Sequence, residues 1–151
     1  MKLLAICFAV SLHAQTIAPP NTIAAGVSYL TSGTSRIAGT GLLTFGSSTT
    51  QAFAVLDAVP TTKAPITVTS NLGLGIAQRV FGIGRVSFWI PTAAGVSWTG
   101  KSVGWAWDSG ALVSIQTNSS WRIMPNARFL KSSISNSNYQ IIGGVLIGWG
   151  W

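Results

Sequence analysis

Apolar or small residues fall on alternate positions along most of this chain, and polar clusters interrupt the alternation every ten residues or so, a spacing typical of short antiparallel strands. A period of two predicts β-strand, because successive side chains point to opposite faces. The final stretch shows it most fully. Tyr139, Ile141, Gly143, Val145, Ile147, Trp149 and Trp151 make one row, and Gln140, Ile142, Gly144, Leu146, Gly148 and Gly150 the other. Residues 102–116 are the second clear case, with Val103, Trp105, Trp107, Ser109, Ala111, Val113 and Ile115 in one row and Asp108 in the other. Over 66–77, Ile66, Val68, Leu72, Leu74 and Ile76 share a row broken only by Ser70, opposed by Thr67, Thr69 and Asn71. This run is longer than the usual strand of a soluble sheet. It suits a membrane-spanning strand of ~9–11 residues with margins.

Weaker alternation predicts five more strands, at 23–30, 36–45, 51–59, 80–90 and 121–131. Both rows of 51–59 are apolar, with Asp57 in one of them, so its facing stays ambiguous. Pro125 counts against the last, since proline cannot donate to a ladder. Between the strands lie polar turns. A tight connection is expected near Gln78-Arg79, a short turn at 117–120, and the longest connection at 91–101, carrying Trp98. Val96–Trp98 and Val103–Trp105 also allow a hairpin extension around 99–102.

Composition changes the picture from soluble sheet towards lipid. Mean hydropathy is +0.47 and only 7% of residues are charged, against ~25% in an ordinary soluble domain. After the N-terminus no stretch approaches the ~20 apolar residues of a spanning helix. Met1-Lys2 followed by the apolar Leu3–Leu12 reads as a signal peptide cleaved after Ala14. The expected organisation is therefore a signal peptide at 1–14, an extended lead-in with Pro19-Pro20 at 15–22, and one β-domain at 23–151. Cys7 and His13 leave with the signal peptide. The remaining cations are single and scattered, without a basic run or an aromatic-basic motif, which argues against a nucleic-acid partner.

An aromatic final residue preceded by alternating apolar positions resembles the terminal signal strand of bacterial outer-membrane β-barrel proteins. About ten residue intervals of strand run roughly 33 Å, or about 24 Å of height when tilted by ~45°, near the ~25 Å apolar band of such barrels. The resemblance implies an all-β, eight-stranded, antiparallel up-and-down transmembrane barrel in a Gram-negative outer membrane. It implies outer-membrane lipid as surroundings and recognition by the barrel-assembly machinery through Tyr139, Val145, Ile147, Trp149 and Trp151. With the N-terminus in the periplasm, Phe45, Trp121, Trp149 and Trp151 fall at one edge and Tyr29, Trp105, Trp107, Phe129 and Tyr139 at the other. Aromatic belts at both interfaces are expected of the class.

Candidate chemistry is sparse. The expected mature chain has no His or Cys and the whole chain no Glu, so triads and zinc sites are excluded on residue type. No cofactor and no enzymatic activity are expected. Inward candidates are Arg85, Asp108, Arg122, Asn126 and Arg128, with Asp108 paired to Arg122 or Arg128 on the neighbouring strand. An eight-stranded lumen has room for side chains and little else, which favours a satisfied plug. Trp98 and Lys101 are the candidates for contact with an external ligand. The competing reading is a secreted soluble barrel or sandwich that binds a small ligand or carbohydrate through Trp98, Trp105 or Trp107.

Overall fold

A computed structural model describes residues 21–31, 37–60, 67–134 and 139–151. The expected signal peptide, most of the lead-in and Ile66 lie outside them. Eight strands follow in chain order: β1 Thr22–Leu30, β2 Ile37–Gly46, β3 Thr50–Pro60, β4 Val68–Ile83, β5 Val86–Thr99, β6 Ser102–Gln116, β7 Trp121–Ser132 and β8 Gln140–Gly150. Each pairs antiparallel with the next, and β8 closes on β1 from Thr22↔Gly150 to Leu30↔Ile142. Closure leaves no strand edge exposed. The ends of β1 and β8 near the termini share one mouth with the β2–β3, β4–β5 and β6–β7 turns; the opposite strand ends and the β5–β6 turn lie at the far mouth.

Two expectations fail in the middle of the chain. The polar pair Gln78-Arg79 does not turn. β4 continues to Ile83 through an irregularity between Arg79 and Phe81, which shifts the alternation so that Val80, Phe81 and Ile83 are all exposed. The turn comes at Gly84-Arg85, with Gly84 at φ 56° and Ile83 paired to Val86. The long 91–101 connection does not exist either. Pro91 to Thr99 belong to β5, and a two-residue turn at Gly100-Lys101 joins Thr99 to Ser102, with Gly100 at φ 55°. Both hairpins place glycine first, where a positive φ suits the strand twist and costs an L-residue most. Pro91 is tolerated because the β5–β6 ladder skips Ile90 and Pro91; Pro125 likewise falls where β6 and β7 are unpaired.

Alternation then sorts the side chains. The outward rows carry exposed apolar residues on every strand, among them Val27, Ile37, Leu56, Leu74, Ile90, Val103, Ile123 and Ile147. Trp89 is buried inside, and the other six tryptophans lie on outward rows or, for Trp151, exposed just past β8. Rings gather towards both mouths. At the termini end Trp151 meets Phe45 edge-on and stacks on Trp149, and Phe81 stacks on Phe88. At the far end lie Tyr29, Trp105, Trp107, Phe129 and Tyr139. Among the described strand residues the outward rows hold one charge, Lys131, whose Nζ sits over the Trp105 and Tyr139 rings at 5.9 and 5.0 Å.

Candidate functional site

The inward rows are stratified. Near the termini end they are polar: Thr22, Thr44, Gln51, Ser87, Ser114 and Arg122 are buried there. Above them an apolar layer spans the lumen, including Leu42, Phe53, Trp89, Leu112, Met124 and Leu146. A second apolar cluster, Leu30, Ala38, Ala106, Leu130 and Ile142, packs near the far mouth. Between the two lies a polar and charged layer. The strands enforce this order by their period. On β7, Met124, Asn126, Arg128 and Leu130 are successive inward residues, so the Asn126–Arg128 pair is fixed between two apolar ones; β3 does the same with Asp57 between Val55 and Val59.

Arg128 is the hub. Its Nη1 donates to Asp108 Oδ2 at 2.6 Å and its Nη2 to Asp57 Oδ1 at 2.7 Å. Its Nε donates to Asn126 Oδ1 at 3.3 Å, and Asn126 Nδ2 donates to the Gly144 carbonyl. Thr40 Oγ1 donates to Asp57 Oδ1 at 2.7 Å, and Ser28 Oγ lies 2.9 Å from Thr40 Oγ1. Since the Thr40 proton is engaged by Asp57, Ser28 is the donor to Thr40. The network thereby links β1, β2, β3, β6, β7 and β8. β3 and β7 stand four places apart in a ring of eight, so the Arg128–Asp57 bridge is a strut across the lumen. All three charged side chains are at most 5% exposed. A buried guanidinium holding two carboxylates through separate nitrogens meets the pairing that burial demands.

The inward candidates divide on this geometry. Asp108, Asn126 and Arg128 meet in the charged layer, and the arginine partner of Asp108 is Arg128. Arg122 also faces inward but lies six residues back along β7, beyond the apolar layer of Met124. Arg85 does not enter the lumen. Gly84 puts it in the β4–β5 turn, exposed, with Nη1 donating to the Thr117 carbonyl at 3.3 Å. Asp57 was ambiguous in sequence because both rows of its strand are apolar; the strand's register makes it the second carboxylate. Trp98 is not in a loop: it sits on the outward row of β5 opposite Val103. Lys101 is exposed in the adjoining turn. Tyr139, Val145, Ile147, Trp149 and Trp151 all face outward and are exposed. Among the described residues no three carboxylate, imidazole or thiol groups converge as metal ligands.

No protein-family model matches the chain, and no curated protein matches it. Solved structures do. Neisserial surface protein A aligns with a TM-score of 0.65 at 8% identity, covering 87% of this chain and 94% of that one. The N-terminal β-barrel domain of Pseudomonas aeruginosa OprF aligns at 0.62 and 6% identity, covering 87% and 98%. The outer membrane enzyme PagL aligns at 0.53 and 10% identity, covering 84% and 97%. The fold is therefore that of the small eight-stranded outer-membrane barrels, and one of these neighbours is an enzyme.

Proposed function

We propose that this chain is an integral, non-catalytic barrel of a Gram-negative-type outer membrane, with its lumen filled by side chains and a structural or surface-contact role. The observation that carries the reading is the outer wall. Its outward rows carry exposed apolar residues on all eight strands, rings cluster towards both mouths, and the one charge among the described strand residues of those rows, Lys131, sits with the rings at the far rim. A soluble monomer rarely exposes a contiguous apolar patch beyond a few hundred Å²; a spanning barrel requires one with aromatic girdles. In this orientation the termini face the periplasm and the Gly100-Lys101 hairpin tip faces outward, which keeps Lys101, with Trp98 just below it on β5, as the candidates for external contact.

Against the soluble alternative, the packed interior leaves no lumen for a ligand, and Trp98, Trp105 and Trp107 lie on outward rows that this reading gives to lipid and its interface. The absence of catalysis in this reading rests on chemistry: Asp57 and Asp108 are both committed to Arg128 and covered by apolar layers. The same reading assigns β8 as the strand by which the barrel-assembly machinery takes up the chain. Cell fractionation tests the core of it. The protein is expected in the outer-membrane fraction, released only by detergent. Recovery in soluble form without detergent overturns the reading.

A further inference from the structure

The termini end of the lumen carries charge that no acidic side chain balances. Arg122 is the second residue of β7 and faces inward, 3% exposed. Arg79, also on an inward row, lies half-buried near the end of β4. A Cβ at Gly82 would collide with its guanidinium, so the side chain lies across Gly82, towards the mouth. The chain has two acidic residues, Asp57 and Asp108, and Arg128 holds both beyond the apolar layer. Hydrogen bonds to neutral groups satisfy guanidinium N–H groups, but the charge of two arginines in one layer calls for an anion.

Hydroxyl groups face the same layer. Thr22, the first residue of β1, and Thr44, near the end of β2, are cross-strand partners. They are 1% and 2% exposed, and neither Oγ1 has a hydrogen-bond partner among the described residues. Leaving a buried hydroxyl unsatisfied is costly. On β5, Ser87 Oγ accepts from Trp89 Nε1 at 2.8 Å, which leaves its own hydrogen to donate. Ser87 pairs with Ser114 across the β5–β6 ladder, again at the termini ends of both strands. Guanidinium and hydroxyl donors therefore surround this level, with the amide of Gln51 and no carboxylate. An eight-stranded interior is just wide enough for side chains. Short Ser and Thr side chains on four strands leave its centre to the arginine tips and what they hold.

We propose that this layer binds one phosphate group, held by the guanidinium groups of Arg79 and Arg122 and by the hydroxyls of Thr22 and Thr44. Phosphate suits the donors because its oxygens accept from several directions at once and pair with a planar guanidinium through two N–H bonds. Chloride presents a single centre. The apolar layer of Phe53, Trp89 and Leu146 closes the site on its inner side, so the anion enters and leaves by the termini mouth and does not cross the lumen. The proposal rests on the lumen and is independent of which membrane holds the barrel.

The test is thermal unfolding of the full chain in a neutral detergent, in millimolar sodium phosphate against sodium chloride at equal pH and ionic strength. A ligand that binds only the folded state raises the folded-to-unfolded ratio by one plus its concentration over Kd. At phosphate tenfold above Kd the ratio rises about tenfold, read as a higher unfolding midpoint in phosphate. Arg122→Gln is expected to lose most of that difference. Should this variant not fold, Arg79→Gln, at a half-buried position, carries the same expectation. Arg85→Gln, in an exposed turn of the same mouth, is expected to keep the difference in full. A wild-type midpoint equal in the two salts overturns the proposal. So does an effect undiminished in the lumen variants, since phosphate then acts by its general exclusion from protein surfaces. Loss of the effect in Arg85→Gln alone also overturns it, by moving the anion to the turn.

Discussion

Arg128 stabilises this barrel through geometry that only its own side chain satisfies. The planar guanidinium directs Nη1 and Nη2 to carboxylates on different strands, 2.6 and 2.7 Å away, which a lysine ammonium on a flexible stem does not reproduce. Arg128→Met leaves two carboxylates buried without a partner cation. Breaking a buried pair in this way costs about 3–5 kcal/mol, so urea unfolding in detergent is expected to show a loss of that order. Replacing the whole group, Asp57→Asn with Asp108→Asn and Arg128→Met, removes the uncompensated charge together with the bridge. That variant is expected to recover most of the loss. If the triple variant is as unstable as Arg128→Met alone, the penalty comes from packing around Arg128 rather than from stranded charge.

At the level of elements, strands with one mainly apolar row opposed by a mainly polar or small one were legible, and those apolar on both faces were not. β6 was read at its true bounds because Trp105, Trp107, Val113 and Ile115 oppose Asp108 and Ser114. β8 was legible for the same reason. Gln78-Arg79 misled because a polar pair ordinarily marks a turn, yet here Gln78 faces outward, Arg79 inward, and the strand carries on to Ile83. Pro91 misled in a different way: proline in a central strand is rare, and only the register shows the gap in the ladder that accommodates it. Asp57 was hidden because β3 is apolar on both sides, so period alone could not say which row entered the lumen. The charged layer was therefore half visible, Asp108 with an arginine across the β6–β7 pair, while the strut to β3 depends on barrel closure, which brings together residues 71 apart in sequence. β8 itself supports a prediction that separates assembly from stability. Trp151 lies at the rim against Phe45 and Trp149, outside the lumen and its network. Trp151→Ala is expected to refold in detergent with nearly the wild-type midpoint but to reach the outer membrane of cells in reduced amount. Undiminished insertion counts against β8 as the assembly signal.

At the scale of the whole molecule, eight strands set the interior and the inward sequence determines whether it conducts. A barrel of this number is just wide enough for side chains to fill. Here the filling is layered, with Phe53, Trp89 and Leu146 on the termini side of the charges and Leu30, Leu130 and Ile142 on the far side. An ion crossing the lumen would have to pass both apolar layers and the Arg128 strut between them. A cavity of about 10 Å³ within the charged layer gives no continuous path. Purified protein in planar bilayers is therefore expected to show no unitary conductance above the lipid background. Regular openings from the wild type would mean that the layers separate in the membrane, and would replace the plugged lumen with a gated one. The same measurement on Arg128→Met places the barrier. Continued silence assigns closure to the apolar layers, whereas new openings assign it to the strut between β3 and β7.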